Sequence, residues 1–479
     1  MARSQSQLIN VLRQNDTRTE KGMLTNSTSL NGCVDMFFMA GAARHWTKEQ
    51  KINLFQKALT EDPQTALRLL FWSRDVRGGA GERQFFRDCL TLLNDNYPEY
   101  LIKISEFIPE FGRWDDLFFT DPIVYLPLIK KGLDERNALL AKWMPRKNQY
   151  NNLSKNVREY LEISPKEYRK LIVELSNTIE QKMCDNKFDE INYEHVPSVA
   201  MNRYRKSFYR NDETRFSEYI DMVNSGEKKM NAGVLYPHQI YQALMKQGRA
   251  DKGTFKINQN DAIEAMWKSL PNYMEGTTHR ILPMVDVSPS MTWYGGLPLD
   301  VSISLGIYIS ERNESIFKDA FMTFSENPTI EFLKGTFVER ATQLRYSKWG
   351  KTTNLEKAFD VLLTKSLEHS ISDEYMPTIL LIISDMQFDL SSSRKSALDM
   401  IKEKYEENGY KLPHIFFWNV RSKEDCVPAD DNQQGVGLIS GFSPSILKNT
   451  LNGVIDRKPT PYETMMSVVN SGRYDMITI

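Results

Sequence analysis

The chain has 479 residues, 41% of them hydrophobic and 26% charged, with a formal net charge of −1. That length predicts two or three domains with enough apolar material for a core in each, and a mean hydropathy of −0.48 excludes a fibrous or disordered chain. The longest apolar run, near residues 379–383, falls far short of the roughly 18 residues a membrane helix needs.

Residues 1–5 (Met, Ala, Arg, Ser, Gln) lack the apolar core of a signal peptide. Cys33, Cys89, Cys184 and Cys426 are scattered, with no CxxC pair and no clustered histidines, which argues against a disulfide framework or a zinc site. A cytoplasmic, membrane-free protein is the expectation. Charge divides unevenly: residues 1–280 hold 41 Lys and Arg against 36 Asp and Glu, whereas residues 281–479 hold 20 against 26. A mildly basic first part permits a polyanionic partner there.

From Leu30 to about Pro271 the pattern is helical. Apolar residues recur at three- and four-residue spacing in residues 50–59 (Ile52, Phe55, Leu59) and 63–72 (Ala66, Leu69, Leu70). Asp62 before Pro63 is a helix start. Gly78, Gly79 and Gly81 interrupt before Phe85, Phe86, Leu90 and Leu93; Asn96, Tyr97 and Pro98 then break the chain. Helix-sized runs follow near 122–143, 165–183, 199–209 and 237–245, while 144–156 reads as a long polar, basic loop. Short helices between Pro, Gly and Asn breaks predict stacked HEAT-like hairpins, without a strict sequence period.

At Arg280 the texture changes. Residues 281–287, 316–324, 378–383 and 414–420 read as strands, with a short one at 437–439. Helices are predicted at 297–309, 355–363, 393–405 and 443–451. The alternation predicts a doubly wound parallel sheet. A tail follows with one helix-like run, 462–469.

Asp286, Ser288 and Ser290 sit in one turn directly after the first strand, and Asp385 ends the buried strand 378–383. In an open parallel sheet these positions face the ligand crevice. Thr352, Thr353 and Asn354 form a polar turn between them. Carboxylate and hydroxyl oxygens without nitrogen or sulfur suit a hard octahedral ion such as Mg²⁺.

This pattern, Asp-x-Ser-x-Ser, then Thr, then Asp, resembles the metal-ion-dependent adhesion site of von Willebrand factor A domains. The resemblance implies that Ser288, Ser290 and Thr353 coordinate directly and that Asp286 and Asp385 act mainly through waters. Lys351 and Thr352 stand where the family often has two glycines, leaving either threonine as the ligand, and Met386 replaces a frequent glycine after Asp385. Further segments resemble plant, bacterial and phage relatives of the Ro autoantigen: 67–86, 97–117, 201–209, 225–236 with its Gly-Glu-Lys-Lys-Met-Asn-Ala-Gly core, and 349–359. Ro-type proteins join a helical-repeat TROVE ring to a von Willebrand A domain, bind non-coding RNA on the ring's basic surface and thread single-stranded ends through its centre. The resemblance thus implies an α plus α/β chain: an extension at 1–29, a TROVE-like helical domain at 30–279, a von Willebrand A domain at 280–455 and a tail at 456–479.

Arg203, Lys206 and Arg210 recur at helical spacing beside Arg205, with Tyr204, Phe208 and Tyr209 interleaved and Lys228 and Lys229 following. Cations track phosphates and aromatic rings stack on unpaired bases. Arg74, Arg77, Arg83 and Arg87 bracket the glycine turn as a second patch; Arg146 and Lys147 are a third. Gly350, Lys351 and Thr352 do not complete a Walker A loop, because Arg345 occupies the position of its first glycine. The six histidines read as structural, and Trp293 with Tyr294 reads as either a rim for a partner or a cover for the sheet. The expectation is a non-enzymatic, Mg²⁺-containing binder of structured or single-stranded RNA. The alternative is a metal-dependent protein scaffold that captures an acidic partner without RNA.

Overall fold

A computed structural model describes residues 16–146, 151–176, 178–247, 249–251, 254–256, 260–324, 328–347, 353–390, 397–451 and 458–479. Gly350, Lys351, Thr352 and Lys147 lie outside them.

Local chemistry starts the helices. Asn31 accepts hydrogen bonds from the Cys33 and Val34 amides to open Gly32–Ala40, whose residues 33–40 are all buried. Thr47 and Gln50 form a capping box ahead of Lys48–Glu61. Asp62 caps Pro63–Arg74, with proline at the first position as its spacing predicts. After the glycine turn come Arg83–Asn96, Pro98–Ile104, Pro122–Asp134 and Ala138–Trp143. The expected loop at 144–156 is shorter than read, because Asn151–Tyr160 is a helix. Leu153 and Val157 recur at four-residue spacing and Val157 is fully buried, so two apolar positions anchor an otherwise polar segment. Pro165–Leu175, Ile179–Cys184, Ser198–Asn211, Glu213–Ser225, Pro237–Met245 and Asp261–Lys268 complete the helical part.

The second part is a six-stranded sheet of β1 (Ile281–Val285), β2 (Ala320–Thr323), β3 (Ile330–Phe332), β4 (Ile379–Ser384), β5 (His414–Asn419) and β6 (Val436–Ser440). Their order is β6-β5-β4-β1-β2-β3. All pairs are parallel except β2 with β3, so the sheet is mixed where a purely parallel one was expected. Strand β3 has three residues and a half-exposed pattern, too short to leave a period-2 signature. Central β1 and β4 are buried at every position, the mark of strands covered on both faces. The architecture is α plus α/β.

The helices leave the sheet unit and return to it. At one end, helix Gly32–Ala40 packs on the β5–β6 edge: the Phe37 carbonyl accepts from Ser440 Oγ at 2.6 Å and the Phe38 carbonyl from Asn419 Nδ2 at 3.2 Å. A Cβ on Gly41 would lie 2.6 Å from the Ser440 carbonyl, so only glycine permits this approach. At the other end, Trp267 stacks on Phe337 at 3.8 Å and Gln242 donates to Asp300 at 2.9 Å. The Glu264 carboxylate accepts from the Phe337 and Val338 amides at 3.2 and 3.1 Å, capping helix Phe337–Tyr346 where its dipole favours an anion. The tail also packs back. Its helix Pro461–Val469 is followed by Arg473, which pairs with buried Asp75, and by buried Tyr474, which donates to Asp75 at 3.1 Å.

Candidate functional site

Strand order reverses between β1 and β4, and the carboxyl ends of those strands open the crevice where such sheets bind ligands. Asp286 follows β1 and Asp385 follows β4, on adjacent strands in register from Ile281↔Ile379 to Val285↔Ile383. The Asp286 amide donates to the Ile383 carbonyl at 3.0 Å, fixing its backbone against β4. One carboxylate oxygen accepts from the Ser288 amide at 2.9 Å and the other from Ser384 Oγ at 2.6 Å. Ser288 Oγ and Ser290 Oγ lie 2.9 Å apart. Asp385 accepts from the Gln387 amide at 3.2 Å and pairs with Arg421 Nη1 at 3.1 Å.

Asp286, Ser288, Thr353 and Asp385 are all buried. Burial raises the proton affinity of Asp286, and the negative charge of Asp385 raises it further. Two carboxylates held together away from water favour a cation beside them; Arg421 already takes that place at Asp385, and the remaining donors are hydroxyls. The donor set therefore fits a hard divalent ion. Among the described residues no group of three or more His, Cys, Asp or Glu gathers as a metal site, so any ion here has few formal charges around it.

The structure brings Asp286, Ser288, Ser290 and Asp385 together through these contacts. Thr353 joins them less directly. Its amide donates to Asp389 Oδ2 at 2.7 Å and its carbonyl accepts from the Asp389 amide at 3.0 Å, which ties it to the loop after β4. Its hydroxyl accepts from Lys21 Nζ at 2.7 Å. Sequence reasoning missed Lys21, Asp389 and Arg421, since nothing in local spacing links them to the motif.

An aromatic rim stands beside the crevice. Trp293 is 60% and Tyr294 47% exposed. Tyr294, Gly295 and Gly296 all have positive φ, which kinks the helix Trp293–Arg312 at its start. The Arg421 guanidinium sits 5.6 and 5.4 Å from the two ring centroids, and His45 of the helical part stacks on Tyr294 at 3.4 Å. Both parts of the chain thus build this rim.

The basic residues separate by environment. Arg203, Lys206 and Arg210 occupy an exposed face of Ser198–Asn211, and Lys229, Arg77 and Arg83 are also exposed. Arg205 does not join them: it is buried, and its guanidinium donates to the Asn202 side chain at 2.7 Å. The helical period turns it inward, away from any RNA. Arg74 is likewise buried, its Nε 2.8 Å from Asp116, and Arg87 reaches Asp116 at 2.6 Å and Asp115 at 2.8 Å. These two arginines form an internal ion cluster, not a surface patch. Lys228 is half-buried and paired with Glu194 at 2.7 Å. Phe208 is buried and Tyr204 half-buried, so the helix offers cations but little free ring surface.

Sequence comparison follows the same division. Residues 19–117 and 130–277 match the family described as domain of unknown function DUF2828, and residues 281–472 match that described as domain of unknown function DUF7788. The second match begins at the first residue of β1. An uncharacterized protein of Acanthamoeba polyphaga mimivirus is 26% identical over 495 residues, covering 91% of this chain and 84% of that protein. With its helical part matched almost throughout, and more than half of all its residues included, the chain belongs to the DUF2828 family.

Proposed function

We propose that the chain is a non-enzymatic RNA-binding protein of Ro type with a divalent-cation site, acting in the cytoplasm. Its sheet unit is a von Willebrand A-type domain and its helical unit a TROVE-like layer. The observation that carries this reading is the meeting of Asp286, Ser288, Ser290 and Asp385 at the crevice where the strand order reverses. Ser288, Ser290 and Thr353 would hold Mg²⁺ directly, with Asp286 and Asp385 mainly behind bound waters. When bound, the ion supplies an electrophilic position for a carboxylate or phosphate oxygen of a partner. The donors suit one ion, as binding requires, and provide no second metal for an in-line displacement.

The RNA part of the reading is supported by the exposed face of Arg203, Lys206 and Arg210. Support also comes from a helical part that begins and ends against the same sheet unit. Reversing the charges (R203E/K206E/R210E) should lower RNA affinity about tenfold or more and flatten its dependence on salt. Filter binding across a salt series tests this; unchanged affinity and slope would remove that face from RNA binding.

A second reading, metal-dependent capture of an acidic protein, is favoured by exposed Trp293 and Tyr294 beside Arg421. Pull-down in Mg²⁺ or EDTA, with and without nuclease, separates the two. Partners lost only on chelation support protein capture; partners lost only with nuclease support RNA.

A further inference from the structure

Between helices Asn151–Tyr160 and Pro165–Leu175 lies a pocket of about 390 Å³ whose lining includes Arg146, Arg158 and Arg169. The polar contacts of these arginines are neutral. Arg158 Nε donates to the Ser154 carbonyl at 3.0 Å, and Arg146 Nη2 lies 3.5 Å from Ser176 Oγ. Among the described residues none of the three makes an ion pair. The acidic residues of the same helices are engaged elsewhere: Glu159 with Lys155 at 3.7 Å, Glu174 with Arg136 at 2.6 Å, and Glu167 with the Ser164 amide at 2.8 Å.

Three guanidinium groups around one cavity repel each other unless an anion sits among them. Their planar forks match phosphate oxygens two at a time. Apart from Ser154, the rest of the wall is apolar. Ile172 is buried, Val173 is half exposed, and Tyr168 commits its hydroxyl to the Pro145 carbonyl at 2.9 Å, leaving only its ring to a ligand. An inorganic ion gains nothing from such a wall, whereas a base does. The volume lies within the range of small-molecule sites.

We infer that this pocket binds a nucleotide, with its phosphate on Arg146, Arg158 and Arg169 and its base against Tyr168, Ile172 and Val173. The choice of a nucleotide over other anions rests on the RNA-handling reading; the cluster of unpaired arginines does not.

Isothermal titration of the full chain at low salt tests it with adenosine monophosphate, adenosine, inorganic phosphate and succinate. Adenosine monophosphate should saturate the site, and the other three should bind at least about tenfold more weakly. R158Q/R169Q should weaken the nucleotide about tenfold, and V173E, which adds a carboxylate to the wall, should do the same while leaving every arginine in place. The proposal is overturned if the nucleotide fails to bind, if neither variant changes its affinity, or if phosphate or succinate binds as tightly. Filter binding of RNA to the unaltered chain separates the two readings. Nucleotide bound without RNA retention keeps the pocket and removes RNA handling, and RNA retained without nucleotide binding removes the pocket.

Discussion

Lys21 and Thr353 stand 332 residues apart in the chain, and the Lys21 ammonium donates to the Thr353 hydroxyl at 2.7 Å. The segment around Lys21 lies along the loop after β4. Thr19 Oγ1 donates to the Phe388 carbonyl at 2.7 Å, the Glu20 amide to Gln387 Oε1 at 2.8 Å, and the Leu390 amide to the Lys21 carbonyl at 3.1 Å. A fixed ammonium on a hydroxyl proposed as a metal ligand opposes a second cation. With the Lys21 side chain 25% exposed and the Asp389 carboxylate 3.9 Å away as a partial countercharge, the repulsion is on the order of 1 kcal/mol. Lys21→Met should therefore tighten Mg²⁺ or Tb³⁺ binding about fivefold in a luminescence or calorimetric titration. Equal affinity in both proteins would show that Lys21 and the ion do not compete.

Asp286→Asn removes one charge from a buried carboxylate pair, so the protein in EDTA should be at least as stable as the parent. Its response to Mg²⁺ should vanish. For the parent, an ion at about 100 times its dissociation constant adds about 2.7 kcal/mol, visible as a rise in Tm between EDTA and Mg²⁺. The same rise in the variant would remove Asp286 from the ion site.

Asp116 is fully buried and accepts from Arg74, Arg87 and the Arg113 amide at 2.8, 2.6 and 2.9 Å. Asp116→Asn takes the countercharge from buried Arg74 and leaves Arg87 with Asp115 alone. It should cost about 3 kcal/mol, read as a lower urea midpoint by circular dichroism. Arg74→Ala should also lower the midpoint while leaving the salt dependence of RNA binding alone. A changed salt slope would return Arg74 to the nucleic-acid surface.

Burial at the junction of the two parts pushes the Asp300 carboxyl up to about 6, against hydrogen bonding from Gln242 and the charges of Arg345 and Lys246. Between about pH 4 and 6 the folded protein keeps a proton that the unfolded chain has released, so this group's contribution falls as pH rises through that window. Asp300→Asn should remain stable there. Its advantage over the parent should grow from near zero at pH 4 to about 3 kcal/mol above pH 6 in denaturant titrations. A difference independent of pH would refute the assignment.

The sequence by itself determined whatever depends on neighbours within one segment. Continuous apolar runs marked β1 and β4, Asp62 and Pro63 marked a helix start, and helical spacing put Arg203, Lys206 and Arg210 on one exposed face. The polar turn at Asp286–Ser288–Ser290 was legible because strand ends face the crevice in any doubly wound sheet. Only the tertiary structure decided which charges turn inward. Arg74 and Arg205 look like their exposed neighbours in composition, yet one meets Asp116 and the other the Asn202 side chain. Nor does any periodicity bring Lys21 to Thr353, His45 to Tyr294 or three unpaired arginines to one pocket. Periodicity reports which face of an element is apolar, whereas the burial of a charge depends on a partner from a distant segment, which packing alone supplies.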